Sequence, residues 1–147
     1  MRLSRIRDVK LPTRGTPGSA GIDFYVPNDY PENLRTIEPG ERFFIPSGIK
    51  ANVPSGYALI AFNKSGISLN HGLTVGASVV DSDYQGEIHI HLINVSDKRQ
   101  TIEPGQKIVQ FLLIEIDHDI IEEVAIEDLF YKKTIRGTGG FGSTGEY

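Results

Sequence analysis

Two aspartates and a phenol lie close together in the segment VVDSDYQGE, residues 79–87. Apolar runs flank this segment on both sides, so the sequence predicts a hairpin whose turn carries Asp81, Asp83 and Tyr84. Residues two apart in extended backbone share a face, which would put both carboxylates on one side. One carboxylate could then hold a water molecule as a general base while the other orients or caps the turn. The alternative is an Asp-rich turn that caps only its own backbone.

A lysine and a hydroxyl precede a glycine in the segment FNKSGI, residues 62–67. This segment opens the only helix that the sequence predicts, over about Ser65 to Asn70. Unpaired N–H groups at the start of a helix attract anions, so Lys64, Ser65 and Gly66 could bind a phosphate. The alternative is an ordinary serine N-cap.

Two further polar residues interrupt apolar strands. Gln110 is predicted to share a strand face with Ile108 and Leu112, where it is either hydrogen-bonded in the core or lines a site. Asp23 follows a glycine in the segment SAGIDF, residues 19–24, and places an acid within a strand.

The chain ends in RGTGGFGSTGEY, residues 136–147. Successive backbone N–H groups in glycine-rich loops form anion-binding concavities, and the guanidinium of Arg136 suits phosphate oxygens. Ser143 and Thr144 add donors, and Phe141 could cover a flat ring. The alternative is a low-complexity tail. The P-loop pattern G-x-x-x-x-G-K-[ST] does not occur in the sequence, which excludes a standard NTPase site.

Two histidines alternate in GEIHIHL, at His89 and His91. A metal site would need further His and Glu ligands at suitable spacing. His71 and His118 do not supply that spacing, so we interpret the pair as ordinary residues on one face of a strand.

The composition indicates one globular domain of 147 residues without cysteine, so neither disulfides nor thiolate metal sites hold it together. The basic N-terminus lacks the apolar core of a signal peptide, and no apolar run approaches the roughly 20 residues that span a bilayer. We therefore expect a soluble, cytoplasmic protein without a membrane partner. The net charge of -4 argues against a nucleic-acid-binding surface.

Short apolar runs such as YALIAF and KIVQFLLIEI are broken by Pro and Gly, and helical periodicity is nearly absent. This pattern predicts an all-β barrel or sandwich. The stretch TIEPG occurs twice, at residues 36–40 and 101–105, and predicts two Pro-Gly turns. The repeat is either a duplicated hairpin or the same turn used twice.

The stretch from residue 115 to residue 128 is acidic and has no glycine, which a calcium-binding loop needs for its turn. We interpret it as a solvated edge with Val124, Ile126 and Leu129 turned inward. It also separates the strands from the glycine-rich end.

Taken in order, the segments AGIDF, NKSG, GASVVDSDYQGEI, GQKIVQ and RGTGGFGSTG resemble the five motifs of the homotrimeric deoxyuridine triphosphatases (dUTPases, dUTP pyrophosphatases). The resemblance covers about residues 19–145. It implies a distorted jelly-roll β-barrel over residues 1–130 and a flexible C-terminal arm over residues 131–147. It also implies a homotrimer with three shared active sites, where the arm closes over a neighbouring subunit's nucleotide and is ordered by substrate.

The family reaction converts dUTP and water to dUMP and pyrophosphate with Mg²⁺, which limits uracil in DNA and supplies dUMP for dTMP synthesis. By this resemblance, Asp81 activates the attacking water and contacts the deoxyribose 3′-hydroxyl, and the attack falls on the α-phosphorus. Asp23 is implied to meet the metal through water, while the triphosphate holds most of the magnesium. Magnesium would also explain how an acidic protein binds a polyanion.

The resemblance implies a role for each group of substrate-binding residues. Tyr84 would lie under the deoxyribose and exclude a 2′-hydroxyl, and Phe141 would stack on uracil. The phosphate positions are Lys64, Ser65, Gly66 and Gln110; the uracil positions are Ala77, Ser78, Val79 and Val80; the remaining arm positions, around the γ-phosphate, are Arg136, Gly142, Ser143 and Thr144.

Two residues depart from the family pattern. Lys64 replaces the usual arginine, so the bidentate contact that a guanidinium makes with phosphate oxygens is lost. Ser78 replaces the usual glycine. Three rival functions remain open. A related dCTP deaminase would need an acid at the pyrimidine amino group, and Glu87 is the nearby candidate. A non-catalytic nucleotide sensor or a structural jelly-roll module would leave Asp81 or the arm without a role.

Overall fold

The computed structural model of the protein describes residues 1–140 and residue 143. The chain divides into two compact units, Met1–Asp117 and His118–Tyr147. The described strands and helices all lie in the first unit. In chain order they are β1 (Arg2–Arg5), β2 (Ile22–Tyr25), a 3-10 turn (Glu32–Leu34), β3 (Thr36–Ile37), β4 (Arg42–Pro46), β5 (Ile49–Asn52), β6 (Tyr57–Phe62), α1 (Ser65–His71), β7 (Leu73–Val75), β8 (Val79–Val80), β9 (His89–Asn94), β10 (Gln100–Thr101) and β11 (Lys107–Glu115).

The strands form four antiparallel sheets in the described part of the chain. The largest has the order β2-β11-β6-β8, and a second has the order β4-β9-β7; the pairs β1-β5 and β3-β10 complete the set. The all-β prediction is confirmed. The strands are distributed over these separate sheets, and the pairings describe no single closed barrel.

A single hydrophobic cluster joins the two larger sheets. Phe24 on β2 and Phe111 on β11 place their rings 4.5 Å apart, and Phe43 on β4 and Leu92 on β9 complete the same core. Burial alternates along β4 and β9, as strand geometry requires when one face is covered. Each fully buried side chain of this size contributes about 2 kcal/mol relative to an exposed one.

The two TIEPG repeats lie beside each other. β3 pairs with β10 so that Thr36 faces Thr101, with their hydroxyl oxygens 2.9 Å apart. In each repeat the glycine has a left-handed φ, 81° at Gly40 and 75° at Gly105, as the predicted Pro-Gly turn requires. The interpretation of one turn used twice is confirmed, and the repeats additionally pair with each other.

The apolar run LTVGASVV, residues 73–80, was expected to form the arm of the hairpin that precedes the acidic turn, and this is right only for its first part. Its first part is β7, which pairs with β9, and its last part is β8, which pairs with β6 in the other large sheet. The chain therefore crosses between sheets at residues 76–78. A continuous apolar run does not reveal such a change of partner, because both halves are buried on one side.

The predicted helix is present as α1, from Ser65 to His71. It ends at Gly72, whose φ of 59° is left-handed and whose N–H donates to the Ser68 carbonyl at 3.0 Å. A Cβ at Gly72 would lie 2.6 Å from the Cβ of Ser96, so close packing also requires glycine there. None of the helices in the described part of the chain is long and apolar enough to span a membrane.

In the second unit, the inward orientation predicted for three apolar residues of the acidic stretch is wrong. Val124, Ile126 and Leu129 are 43%, 77% and 50% exposed. Alternation of apolar residues predicts a buried face only where a surface is available to cover it. The boundary predicted for the arm, after residue 130, stays a prediction.

Candidate active site

A pocket with a volume of about 260 Å³ lies where β8, the turn after it and β9 meet. It collects the predicted catalytic and uracil positions with Tyr84, and it adds several residues from β4, β9 and β11. Its lining consists of Phe44, Ala77, Ser78, Val79, Val80, Asp81, Tyr84, Ile88, His89, His91 and Phe111. We call it the base pocket.

The backbone of β8 is displayed to the base pocket by its pairing with β6. The Ala61 N–H donates to the Ser78 carbonyl at 2.8 Å, and Val80 pairs with Leu59. Hydrogen-bonded pairs alternate along an antiparallel ladder, so the N–H and C=O of Val79, between these two pairs, point away from β6. The carbonyl of Ser78 is already occupied, whereas Val79 presents both a donor and an acceptor.

The acidic turn follows β8 directly. The Tyr84 N–H donates to the Asp81 carbonyl at 3.3 Å, which closes a four-residue turn. Asp81 and Asp83 therefore do not share a face in extended backbone, and that premise of the sequence interpretation is wrong. Both carboxylates are exposed, and Asp81 alone of the two lines the base pocket. The turn thus distinguishes two acids that the sequence left equivalent.

Tyr84 is fixed at the edge of the base pocket. Its hydroxyl donates to the Glu87 carbonyl at 2.8 Å. A Cβ at Gly86 would lie 2.3 Å from the Tyr84 hydroxyl oxygen and 2.4 Å from the ring carbon that bears it, so only glycine allows the ring to lie there. The ring is therefore held by packing and a hydrogen bond, which gives it a defined orientation.

A second group of predicted residues surrounds Asp23, whose side chain is 7% exposed. Lys64 Nζ donates to Asp23 Oδ1 at 2.6 Å, and Lys107 Nζ lies 3.0 Å from Asp23 Oδ2. Burial acts to raise the pKa of Asp23, but the hydrogen bonds and charges of the two lysines outweigh it, so the pKa lies below its ordinary value. The hydrogen bond to Asp23 raises the pKa of Lys107. We call these three residues the charged cluster.

Gln110 lies opposite Asp23 across the β2–β11 ladder. Its Nε2 donates to the Asn63 carbonyl at 2.8 Å, and a Cβ at Gly21 would lie 2.1 Å from its Oε1. The β-bulge between Lys107 and Val109 interrupts the alternation of β11, so Ile108 and Val109 are both buried. The predicted shared face of Gln110 and Ile108 is therefore wrong, because the bulge shifts the face by one residue.

The start of α1 differs from the expected serine N-cap. Lys64 occupies the N-cap position and makes no side-chain capping bond, while Ser65 is the first helical residue. The serine N-cap alternative is therefore wrong. Ser65 and Gly66 are exposed next to Lys64, which leaves their donors accessible to a ligand.

The base pocket and the charged cluster are separate within one chain. Asp23, Lys64, Ser65, Gly66 and Gln110 do not line the base pocket. In the second unit, Arg136 Nε donates to the Gly139 carbonyl at 2.9 Å, and the Ser143 N–H donates to the Gly140 carbonyl at 3.1 Å. The predicted positions Phe141, Gly142 and Thr144 lie outside the described residues.

Four residues near these groups were not predicted from the sequence. Lys107 is the second partner of Asp23, and Asn63 receives the Gln110 bond and binds the Val75 N–H through Oδ1 at 2.7 Å. Phe44 and His91 line the base pocket. Lys107 and Phe44 reach these positions through strand pairing, which the sequence does not reveal. For His91, the one hint in the sequence is Gly76, the glycine against which its ring packs.

The described residues include no group of three or more His, Cys, Asp or Glu side chains that could hold a metal ion. Both oxygens of Asp23 already have ammonium partners. This arrangement does not suit direct ligation by Asp23, but it fits a metal that meets the protein through water and is held by the phosphates of a ligand.

The fold and these two groups define a class: an all-β, jelly-roll-like protein with a small-ligand pocket, a carboxylate at the rim of that pocket, and a separate charged cluster. A family model described as dUTPase matches residues 7–145. The chain belongs to the dUTPase family.

Relatives and solved structures agree with that assignment. The deoxyuridine 5′-triphosphate nucleotidohydrolase of Fusobacterium nucleatum is 38% identical over 148 residues, covering 99% of this chain and 97% of the relative. The enzyme of the same name from Chlamydia pneumoniae is 41% identical over 138 residues, covering 92% and 91%. The dUTPase of Staphylococcus bacteriophage 80alpha, solved with dUPNHPP, superposes with a TM-score of 0.82 at 22% identity, covering 98% and 97%, which supports the fold.

Proposed function

We propose that this protein hydrolyses dUTP to dUMP and pyrophosphate, with Asp81 as the general base. The observation that carries the proposal is the base pocket, which brings residues 77–80, Asp81 and Tyr84 around one cavity. Asp81 is exposed at its rim, so its carboxylate can accept a proton from a water molecule beside the bound nucleotide. That water attacks the α-phosphorus, and pyrophosphate leaves.

Uracil recognition falls to the backbone of β8. Val79 offers one N–H and one C=O on the side away from β6, which suits the adjacent acceptor and donor on a pyrimidine edge. The close walls of the pocket exclude a methyl group at C5. The ring of Tyr84 covers the deoxyribose and leaves no space for a 2′-hydroxyl. These contacts distinguish dUTP from dTTP and UTP.

The negative charge that develops on the leaving pyrophosphate needs positive charge and donors near it. Lys64, the Ser65 hydroxyl, the Gly66 N–H and Gln110 are the residues that supply them. Asp23 holds Lys64 in place through the 2.6 Å contact, and because both of its oxygens are paired it would meet a triphosphate-bound magnesium ion only through water. Magnesium, the cofactor of this family, supplies charge neutralisation of the triphosphate.

We propose that the active unit is a homotrimer with shared active sites. In support of this, the base pocket and the charged cluster share no residue within one chain, so two different subunits can supply the two groups to one nucleotide. Large apolar side chains in the second unit also need a cover. Those most exposed among the described residues are Ile120, Ile121, Ile126, Phe130, Tyr131 and Ile135.

Mixing two inactive variants tests the shared site. Asp81→Asn lacks the base, and the double variant Lys64→Ala/Ser65→Ala lacks the phosphate donors. If pocket and cluster come from different subunits, refolding the two variants together restores about a quarter of the sites in random trimers. Recovery of pyrophosphate release supports the proposal. If the mixture stays as inactive as its parts while trimers form, each site comes from one chain.

We propose that the C-terminal arm closes the site, with Arg136, Ser143 and Thr144 around the γ-phosphate and Phe141 over uracil. A chain that lacks residues 136–147 should lose most of its activity but little of its melting temperature, because none of the residues described there, 136–140 and 143, belongs to the hydrophobic core. Equal losses in both measurements would contradict a role as a lid. We also retain a cytoplasmic location as a proposal, since the substrate is a nucleotide.

The rival deaminase function is disfavoured by the contacts of Glu87. Its Oε1 accepts the Gly48 N–H at 2.7 Å and lies 3.2 Å from Arg7 Nε. Its Oε2 accepts from Arg7 Nη2 at 3.4 Å, so both oxygens have structural partners and the carboxylate is poorly placed to protonate a pyrimidine. The Glu87 side chain does not line the base pocket.

The deciding experiment measures pyrophosphate release from dUTP, dTTP, dCTP and UTP, with and without magnesium, and measures ammonia release from dCTP in parallel. We expect magnesium-dependent pyrophosphate release with dUTP, and rates at least about 100-fold lower with the other three. Ammonia from dCTP would favour the deaminase, and binding of dUTP without turnover would favour a nucleotide sensor.

A further inference from the structure

His91 holds the point where the chain crosses from one large sheet to the other. Its carbonyl accepts the Gly76 N–H at 2.9 Å, and its ring Nδ1 accepts the Ala77 N–H at 2.9 Å. Two consecutive amides of the crossing therefore bind one residue of β9. A backbone N–H can only donate, so Nδ1 must be the unprotonated nitrogen and the neutral ring carries its hydrogen on Nε2.

The fit between His91 and Gly76 is specific. A Cβ at position 76 would lie 2.3 Å from Nδ1 and 2.4 Å from Cε1 of the imidazole. The ring therefore lies directly on the glycine, and no larger residue could occupy the crossing without moving it. The Nε2 atom is buried and has no hydrogen-bond partner among the described residues, so the Nδ1 bond is the one polar contact of the ring that the structure shows.

The crossing leads directly into the segment that displays its backbone to the base pocket. Ala77 begins the pocket-lining segment, and Val79, two residues later, carries the free donor and acceptor. Without the His91 acceptor, the Ala77 N–H would lose its partner and could rotate. The orientation of Val79 would then be set only by its short pairing with β6.

We propose that His91 is a positioning residue for base recognition: its neutral imidazole fixes Ala77, and through it the Val79 backbone that reads the pyrimidine of a deoxynucleotide. This inference rests on the proposed dUTP hydrolysis. It replaces the sequence interpretation of His89 and His91 as ordinary strand residues. His89 instead stacks on Phe44, with ring centroids 4.7 Å apart, and makes no comparable bond to the crossing.

Two substitutions separate the hydrogen bond from simple packing. In His91→Asn, the side-chain oxygen can take the place of Nδ1 and accept the Ala77 N–H, whereas His91→Leu fills similar space without an acceptor. His118→Asn, an exposed residue of the second unit, controls for loss of an imidazole elsewhere. Sedimentation and thermal unfolding of each variant test whether it assembles and folds like the wild-type protein.

We expect His91→Leu to raise the KM for dUTP about 10-fold with kcat changed less than about 2-fold, and to lower the preference for dUTP over dTTP about 10-fold. His91→Asn should remain within about 3-fold of wild type in both measurements, and His118→Asn should match wild type. A loss that is equal in the Leu and Asn variants, or wild-type kinetics in His91→Leu, would overturn the inference.

A spectroscopic readout covers the case in which His91→Leu does not fold. Long-range ¹H–¹⁵N spectra of the wild-type chain should show the His91 ring neutral and protonated on Nε2, and His91→Asn identifies its signals by their loss. A ring protonated on Nδ1 would overturn the inference. A wild-type protein that does not hydrolyse dUTP defeats the proposed function instead, while an active protein with the wrong tautomer defeats only the role of His91.

Discussion

The base pocket and the charged cluster are built in opposite ways. The base pocket takes most of its lining residues from one continuous stretch, residues 77–84, and in the proposed function it recognises the base largely through backbone atoms. The charged cluster takes single side chains from β2, from the residue before α1 and from β11. One crossing and one turn are enough to shape the base pocket, whereas the paired charges of the cluster come from segments that are far apart in the sequence.

This difference determines what each group can tolerate. If the base is recognised through the backbone as proposed, side-chain changes such as serine at position 78 should be tolerated, provided that the crossing keeps its path. The charged cluster depends on each ammonium and carboxylate, because a buried carboxylate that loses its partners keeps its desolvation cost. Substitutions in the two groups should therefore separate into effects on turnover and selectivity for the pocket, and effects on phosphate binding and stability for the cluster.

The largest effect is expected from Asp81→Asn at the rim of the base pocket. The amide cannot accept a proton from water, so kcat should fall about 1,000-fold or more, while binding of a non-hydrolysable dUTP analogue stays near wild type. Pyrophosphate release and calorimetric titration measure the two quantities. Asp83→Asn, in the same turn but away from the pocket, should change kcat by less than about 3-fold. The reverse order of effects would reassign the base to Asp83.

A smaller effect, on selectivity, is expected from Tyr84→Ala. Removing the ring opens space for a 2′-hydroxyl, so the ratio of kcat/KM for dUTP over UTP should fall by about 10- to 100-fold. Tyr84→Phe keeps the ring and loses only the bond to the Glu87 carbonyl, so it should retain most of the discrimination. If Tyr84→Ala discriminates between dUTP and UTP as well as wild type does, another residue must exclude the 2′-hydroxyl.

In the charged cluster, Lys64→Ala should raise the KM for dUTP about 10-fold, because one cation is lost from the phosphates while Lys107 remains beside Asp23. Lys64→Arg keeps the charge and adds a planar fork, so its KM should lie at or below the wild-type value. Steady-state kinetics at fixed free magnesium measures both. An Lys64→Arg variant as impaired as Lys64→Ala would mean that this site depends on the compact ammonium.

These two groups also explain how far the sequence alone could lead. The order of the five motifs was sufficient to predict the all-β fold and the family. The short segments around Asp81 and Lys64 indicated a general base and a phosphate-binding residue. The sequence did not reveal the crossing at Gly76, because one apolar run can serve two sheets. It did not reveal Lys107 beside Asp23 either, because a bulge in β11 sets that register.

The smallest expected effect concerns how the charged cluster contributes to stability. The folded protein lowers the pKa of Asp23 and raises that of Lys107. A lowered carboxyl pKa stabilises the fold at pH values above the unfolded value of about 4, and this contribution is lost as the pH falls through the folded value. The raised pKa of Lys107 has the opposite sign: its contribution is complete below about pH 10 and is lost above it.

The difference in free energy of unfolding between wild type and Asp23→Asn should therefore be constant from about pH 5 to pH 8 and shrink below about pH 4. Urea unfolding at one fixed protein concentration measures it, since an oligomer's stability depends on concentration. Asp83→Asn, whose carboxylate is exposed, provides a matched control for the loss of a carboxylate. A difference that grows in acid would mean that burial, rather than the two lysines, dominates at Asp23. Asp23 would then take up a proton more readily in the folded protein than in the unfolded chain.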